Sequence, residues 1–177
     1  MTSAYLRGQE LVDAIQSSSY SRDLIGYHGQ VPHAQWPNQA KIAVQFVLNY
    51  EEGGENHVEH GDLGSEQFLS EIVGAATFNA KHMSMDSMYE YGSRAGFWRI
   101  HQEFQKRGLP MTIFGVGMAL ARNPYVVEAI QQAHYDVVSH GQRWLHYQHI
   151  DIDTERQHMD QAISVLEALF GKTPIGW

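Results

Sequence analysis

The chain has 177 residues, 43% of them hydrophobic and 18% charged, which suits a packed domain and not a disordered or fibrous chain. Its net charge of −8 comes from acids dispersed along the sequence, with no cluster of Lys and Arg to meet a phosphate backbone, so no nucleic-acid partner is expected. The absence of cysteine removes disulfide frameworks, thiolate metal sites and cysteine nucleophiles together, and agrees with a cytoplasmic location.

Residues 1–19 lack the apolar stretch of a secretory signal, and no apolar run approaches the ~20 residues that cross a bilayer, so no membrane partner is expected. Residues 1–40 carry Gly26, Gly29, Pro32 and Pro37 and read as an extended N-terminal arm with at most one short helix. The β-branched apolar run 41–48 (KIAVQFVL) suits a strand buried on both faces. A polar stretch from Gly53 to Gly64 follows, long enough to be a functional loop. Ser65 and Glu66 then open a short predicted helix through Phe68, Leu69 and Ile72.

Residues 93–107 place Phe97, Ile100, His101 and Phe104 at i, i+3, i+4 and i+7, ending at Gly108 and Pro110, which predicts a core-facing helix. A strand over 111–116, a helix over 124–133 with proline in its first turn, and a strand over 135–139 follow. A last helix over 154–170 puts Met159, Ile163, Leu166 and Phe170 on one face and stops at Gly171, leaving 174–177 where a further strand begins. Strands alternating with helices imply an α/β fold with a parallel sheet, open or closed into a barrel.

In such folds ligands bind beyond the carboxyl ends of the strands, which singles out two segments. Asn49-Tyr50-Glu51-Glu52-Gly53-Gly54-Glu55 carries adjacent carboxylates, one of which can act as a general base if burial or its neighbour raises its pKa. Ser139-His140-Gly141-Gln142-Arg143-Trp144-Leu145-His146 follows the third strand and offers His140. Both segments also admit bland readings, a solvated acidic loop and a structural histidine. His57-Val58-Glu59-His60 with Asp62 contains zinc-ligand types, but lacks the helical i, i+4 spacing of well-known zinc motifs. At Tyr91-Gly92-Ser93-Arg94 a helix start offers N–H groups and Arg94 to a carbonyl or anionic group, with a structural ion pair as the equal alternative for Arg94.

Taken together, Arg22-Asp23-Leu24-Ile25-Gly26-Tyr27, Phe46-Val47-Leu48-Asn49-Tyr50-Glu51-Glu52-Gly53-Gly54-Glu55, Tyr91-Gly92-Ser93-Arg94-Ala95-Gly96 and Ser139-His140-Gly141 resemble the metal-independent allantoinase (urate catabolism) branch of the polysaccharide deacetylase superfamily. The resemblance implies the N-terminal part of a deformed (β/α) barrel, with about four parallel strands over 41–177 and later strands not supplied by this chain. In metal-dependent members an Asp-Asp pair follows the first strand, the first acting as base, while the second and two His four residues apart bind the ion. The acidic pair here aligns with Glu51 and Glu52, and the His positions with His140 and Trp144. An indole N–H only donates, so Trp144 cannot be a ligand, and His146 lies at the wrong helical spacing to replace it.

The resemblance therefore implies hydrolysis of a cyclic amide, allantoin to allantoate, without metal or other cofactor. Glu51, Glu52 and His140 are the expected catalytic residues, and Asn49, Tyr50, Arg94 and Trp144 the expected substrate contacts. The partners implied are a small ureide and further copies of the chain in a homo-oligomer. One alternative is a zinc-dependent deacetylase of N-acetylated sugars; the other is an inactive fragment, aggregated or oligomeric in isolation because an unclosed sheet leaves edges and apolar faces uncovered.

Overall fold

In the computed structural model, which describes residues 5–72, 74 and 79–177, strand pairing begins later than the apolar run 41–48 predicts. β1 is Val47–Tyr50, β2 is Thr112–Gly115 and β3 is Asp136–Ser139. They form a parallel sheet in the order β1-β2-β3, with Val47 opposite Thr112 and Thr112 opposite Asp136. The partner sets the start of β1. Phe46 O accepts from Thr112 N at 2.9 Å, and just upstream β2 would have to pair through Pro110, which has no N–H. Ile42 and Val44 stay about three-quarters exposed (75% and 73%), so residues 41–48 are not a strand buried on both faces. Residues 174–177, where a further strand was expected, run beside β3, and Ser139 N donates to Gly176 O at 2.9 Å.

Between β1 and β2 the helical content differs from expectation. Residues 65–72 form no helix: the Glu66 carboxylate accepts from the N–H groups of Gln67 and Phe68, and Leu69 takes φ 73°. A side chain that captures nearby N–H groups competes with helix formation. Instead α2 (Met83–Tyr91) runs through a wide π-turn at Gly92–Gly96 into α3 (Phe97–Arg107). The expected helix start at 91–94 is thus a helix interior, without the free N–H groups of a terminus. α2 escaped the sequence reading because MSMDSMYEY has no clean apolar period, and Met85 is its one buried residue.

After β2 come α4 (Gly117–Ala121) and α5 (Pro124–Gln132), the second with Asn123 accepting from Val126 N at its start. After β3, α6 (Ile152–Phe170) is capped by Asp151, whose carboxylate accepts from the Asp153 and Thr154 N–H groups, and is closed by Gly171 at φ 71°. The core joins Tyr50 and Phe97 to Ile113, Val116, Leu120, Val126, Ile130, Val137 and Leu166. The predicted apolar faces of α3 and α6 are only partly covered: Phe97 and Leu166 are buried, whereas Ile100 and Met159 are exposed.

Contacts divide the chain into two compact units, Met1–Ala43 and Val44–Trp177. In the first, α1 (Gly8–Ser17) buries no residue, and the Asp23 carboxylate accepts from Ile25 N and Gly26 N at 2.9 and 3.0 Å, which shapes the turn of the Arg22–Tyr27 motif. Among the described residues no helix is long and apolar enough to cross a membrane.

Candidate active site

Register brings the candidate residues to one edge. Tyr50 stands opposite Gly115 and Gly115 opposite Ser139, so the residues that follow leave the sheet side by side. Val116 N donates to Tyr50 O and His140 N to Gly115 O, both at 3.0 Å, carrying the ladder one step past the strands. Gly54 then folds back so tightly that a Cβ there would lie 2.5 Å from Val116 Cγ1; its N–H donates to Glu51 O and its carbonyl accepts from Trp144 N, each at 2.9 Å. The loops after β1 and β3 are thereby tied together.

At this corner His140 Nε2 lies 2.8 Å from Glu51 Oε1, and Asn49 Nδ2 donates to the same oxygen at 3.2 Å. Because the Asn49 amide can only donate from nitrogen, Glu51 Oε1 is an acceptor, and the simplest assignment gives His140 the Nε2 proton, donated to a carboxylate. Both side chains keep about a quarter of their surface (25% for Glu51, 29% for His140), enough to meet a ligand. Glu52, in the turn that follows β1, folds back so that its Oε2 accepts from Glu51 N at 3.3 Å. Burial, and then the neighbouring carboxylates of Glu51 and Glu55, push the Glu52 carboxyl above its usual range, against the lowering effect of the nearby backbone N–H groups.

Glu51, Glu52 and Glu55 line a cleft of about 260 Å³ with Phe68, Leu69, Met88, Tyr89 and Trp144. Trp144 forms its aromatic wall, edge-on to Phe68 and Tyr89 at 5.6 and 6.3 Å between ring centroids. Tyr89, on a helix that no apolar period announces, also lines the cleft, with its hydroxyl donated to Phe68 O at 2.9 Å. Burial, with the acidic residues around it, raises its phenol well above the ordinary value.

Two expected contacts lie elsewhere. Tyr50 is buried at 2% exposure, edge-on to Phe97, and its hydroxyl accepts from Asn123 at 3.0 Å. Burial pushes that phenol up to about 12, Asn123 opposing and Glu52 adding to the shift. Arg94 is exposed and pairs with Glu90 at 3.0 Å, so of the two roles open to it the structure displays the ion pair.

The His57–Asp62 segment forms a clamp. Asp62 pairs with Arg143, whose guanidinium also donates to Glu55 O at 2.9 Å. His60 holds Glu55 O through Nδ1 at 3.0 Å and meets Arg122 through Nε2, while His57 faces Asp86 at 3.3 Å. Among the described residues no three His, Asp or Glu side chains converge as metal ligands. At the corner itself His140 contacts Glu51, and four residues further on stands Trp144, whose indole N–H can only donate.

The profile of the family described as polysaccharide deacetylase matches residues 79–177. A Schizosaccharomyces pombe protein carrying that name is 42% identical over 151 residues, which make up 83% of this chain and 47% of that protein. The crystal structure of Puue allantoinase superposes with a TM-score of 0.83 at 52% identity, covering 90% of this chain and 53% of that one. A Pseudomonas aeruginosa PAO1 protein whose structure is named a polysaccharide deacetylase superposes equally well, TM-score 0.83 at 53% identity, over 89% of this chain and 53% of that one. The chain spans about half the length of these relatives.

Proposed function

The chain belongs to the polysaccharide deacetylase family, as the N-terminal part of a deacetylase-type barrel, and we propose that its corner of Glu51, Glu52 and His140 serves the hydrolysis of a cyclic amide, allantoin to allantoate. The observation that carries this reading is the 2.8 Å contact of His140 with Glu51, a residue that lines the cleft walled by Trp144. Water loses a proton to a glutamate carboxylate as its oxygen adds to the ring carbonyl carbon; the C–N bond then breaks and the nitrogen takes a proton back. Glu51, oriented by His140 and Asn49, is the base, and Glu52, held closer to neutrality by burial, is suited to return the proton. Trp144 offers the planar ureide a flat apolar wall, and Asn49 is the nearest amide. Tyr50 lines the neighbouring cavity that it shares with Glu52, and Arg94 is the weakest of the proposed contacts. We place the reaction in the cytoplasm, with a homo-oligomer as the working assembly.

A second reading, metal-dependent removal of acetyl groups from sugars, is favoured by one observation: the two solved structures named above are equally similar to this chain, and one is named a deacetylase. The donor set opposes it, because Trp144 stands where an imidazole ligand would be needed. Parallel assays on allantoin and an N-acetylated sugar, before and after exhaustive chelation, separate the two. The expected result is turnover of allantoin that survives chelation; sugar deacetylation that is lost on chelation and returns with zinc establishes the second reading instead.

A further inference from the structure

Gly92 sits in the π-turn between α2 and α3 with φ −55° and ψ −54°, a right-handed conformation open to every residue. Its backbone therefore gives no reason for glycine, which is disfavoured in a helix interior relative to alanine. The reason lies in what faces it. A Cβ at this position would fall 2.8 Å from Glu52 Cδ and 3.2 Å from its Cγ, and would collide with Oε1. Gly96, at the other end of the same turn with φ −60° and ψ −51°, is different: a Cβ there meets its nearest neighbours, the carbonyl and ring of Tyr91, at 3.6 and 3.7 Å, which is ordinary contact. One glycine of the turn is sterically required and the other is not.

Glu52 needs such a slot because it stands between two cavities. Its side chain lines both the cleft of Glu51 and Trp144 and a neighbouring cavity of about 330 Å³ bounded by His57, Lys81 and Arg122. The bare Cα of Gly92 lets the carboxyl lie flat against the helix, between the two. We infer that Gly92 is a positioning residue for Glu52, its missing side chain forming the notch that fixes the carboxyl at the reactive corner. π-turns recur at functional sites, and here the widened turn presents the notch. The part of the inference that concerns turnover rests on the proposed role of Glu52 in hydrolysis; the notch itself does not.

Four variants test it: Gly92→Ala, Gly96→Ala, Glu52→Ala and the double variant Gly92→Ala/Glu52→Ala. The atom that meets a new Cβ is the end of a flexible side chain, so the fold can accept Gly92→Ala by expelling the carboxyl. On allantoin, Gly92→Ala is expected to lower kcat on the order of 100-fold, the scale of a small misplacement of a reacting group, with KM within about two-fold; Gly96→Ala keeps both. In thermal melts without substrate, Gly92→Ala raises Tm by about 2 to 4 °C in the Glu52→Ala background, from helix propensity alone, and by less when Glu52 is present. An equal Tm change in both backgrounds overturns the inference, as does full turnover by Gly92→Ala. Should Gly92→Ala fail to fold, recovery of a cooperative melt in the double variant supports the notch, and failure of both variants to fold overturns it. If the parent protein turns over no ureide, the proposed reaction falls, and the substrate-free melts still judge the notch.

Discussion

Two clusters of acids and bases flank the same loop, and they are electrostatically opposite. In the clamp, the Arg143 guanidinium holds the Asp62 carboxyl below the usual carboxylate range, opposed by burial and helped by the His57 N–H. The His60 imidazole is pushed below its ordinary value, first by burial and then by Arg122 and Arg143, although Glu55 O favours its proton. At the corner the balance reverses: burial and neighbouring carboxylates drive Glu52 upward, and no cation is found within hydrogen-bond reach of it among the described residues. Identical residue types therefore do different work. An opposite charge lowers a carboxyl, as Arg143 does at Asp62, whereas burial among like charges raises one, as at Glu52.

The sharpest way to break this comparison is to neutralise each carboxyl in turn. Glu51→Gln and Glu52→Gln are each expected to lower allantoin turnover at least ~100-fold, the scale of positioned acid–base catalysis, while both proteins keep the parental circular dichroism spectrum. Full turnover by both would return the corner to the status of a solvated acidic loop. Asp62→Asn should act on stability instead, by about 2 kcal/mol, less than the 3–5 of a fully buried pair because both partners retain some exposure. The pH dependence fixes the sign. A depressed folded-state pKa contributes stability that is present above the unfolded value, about 3.9, and is lost as pH falls through the folded one. Denaturant melts of parent and Asp62→Asn should therefore converge in acid.

Glu52 should show the reverse slope. Its folded-state pKa is raised, so the folded protein holds this proton after the unfolded chain has released it near about 4.3, and stability drains away as pH rises through the folded value. Glu52→Gln is expected to gain stability over the parent between about pH 4 and neutrality; a gap that stays constant with pH would mean that Glu52 is no more perturbed than a surface acid. The smallest effect belongs to Arg94→Ala. An exposed i,i+4 pair contributes about 0.3–0.5 kcal/mol, and KM for allantoin should stay within about two-fold. A tenfold rise in KM would restore Arg94 to the substrate.

Much of this was legible along the chain because it is local chemistry. Periodicity and stop signals placed α3, α5 and α6, since an apolar stripe, a proline in the first turn and a terminal glycine act over a few residues. Two acids at a strand end and a histidine at another marked the corner for the same reason: in a parallel sheet those ends share one edge. Contacts across the chain were not legible. Pairing with Thr112, not the apolar run itself, decided where β1 starts; the Glu66 side chain overrode a helix that propensity allowed; and α2 formed without a periodic face. The contact of His140 with Glu51 spans 89 positions, and the need for glycine at 92 but not at 96 arises only because Glu52 folds over one of them. Sequence by itself determined which residue types stand at which ends, because those signals are short-range. Only the tertiary structure decided which carboxyl is paired and which is raised, because burial and charge pairing are properties of the assembled surroundings and not of the residue.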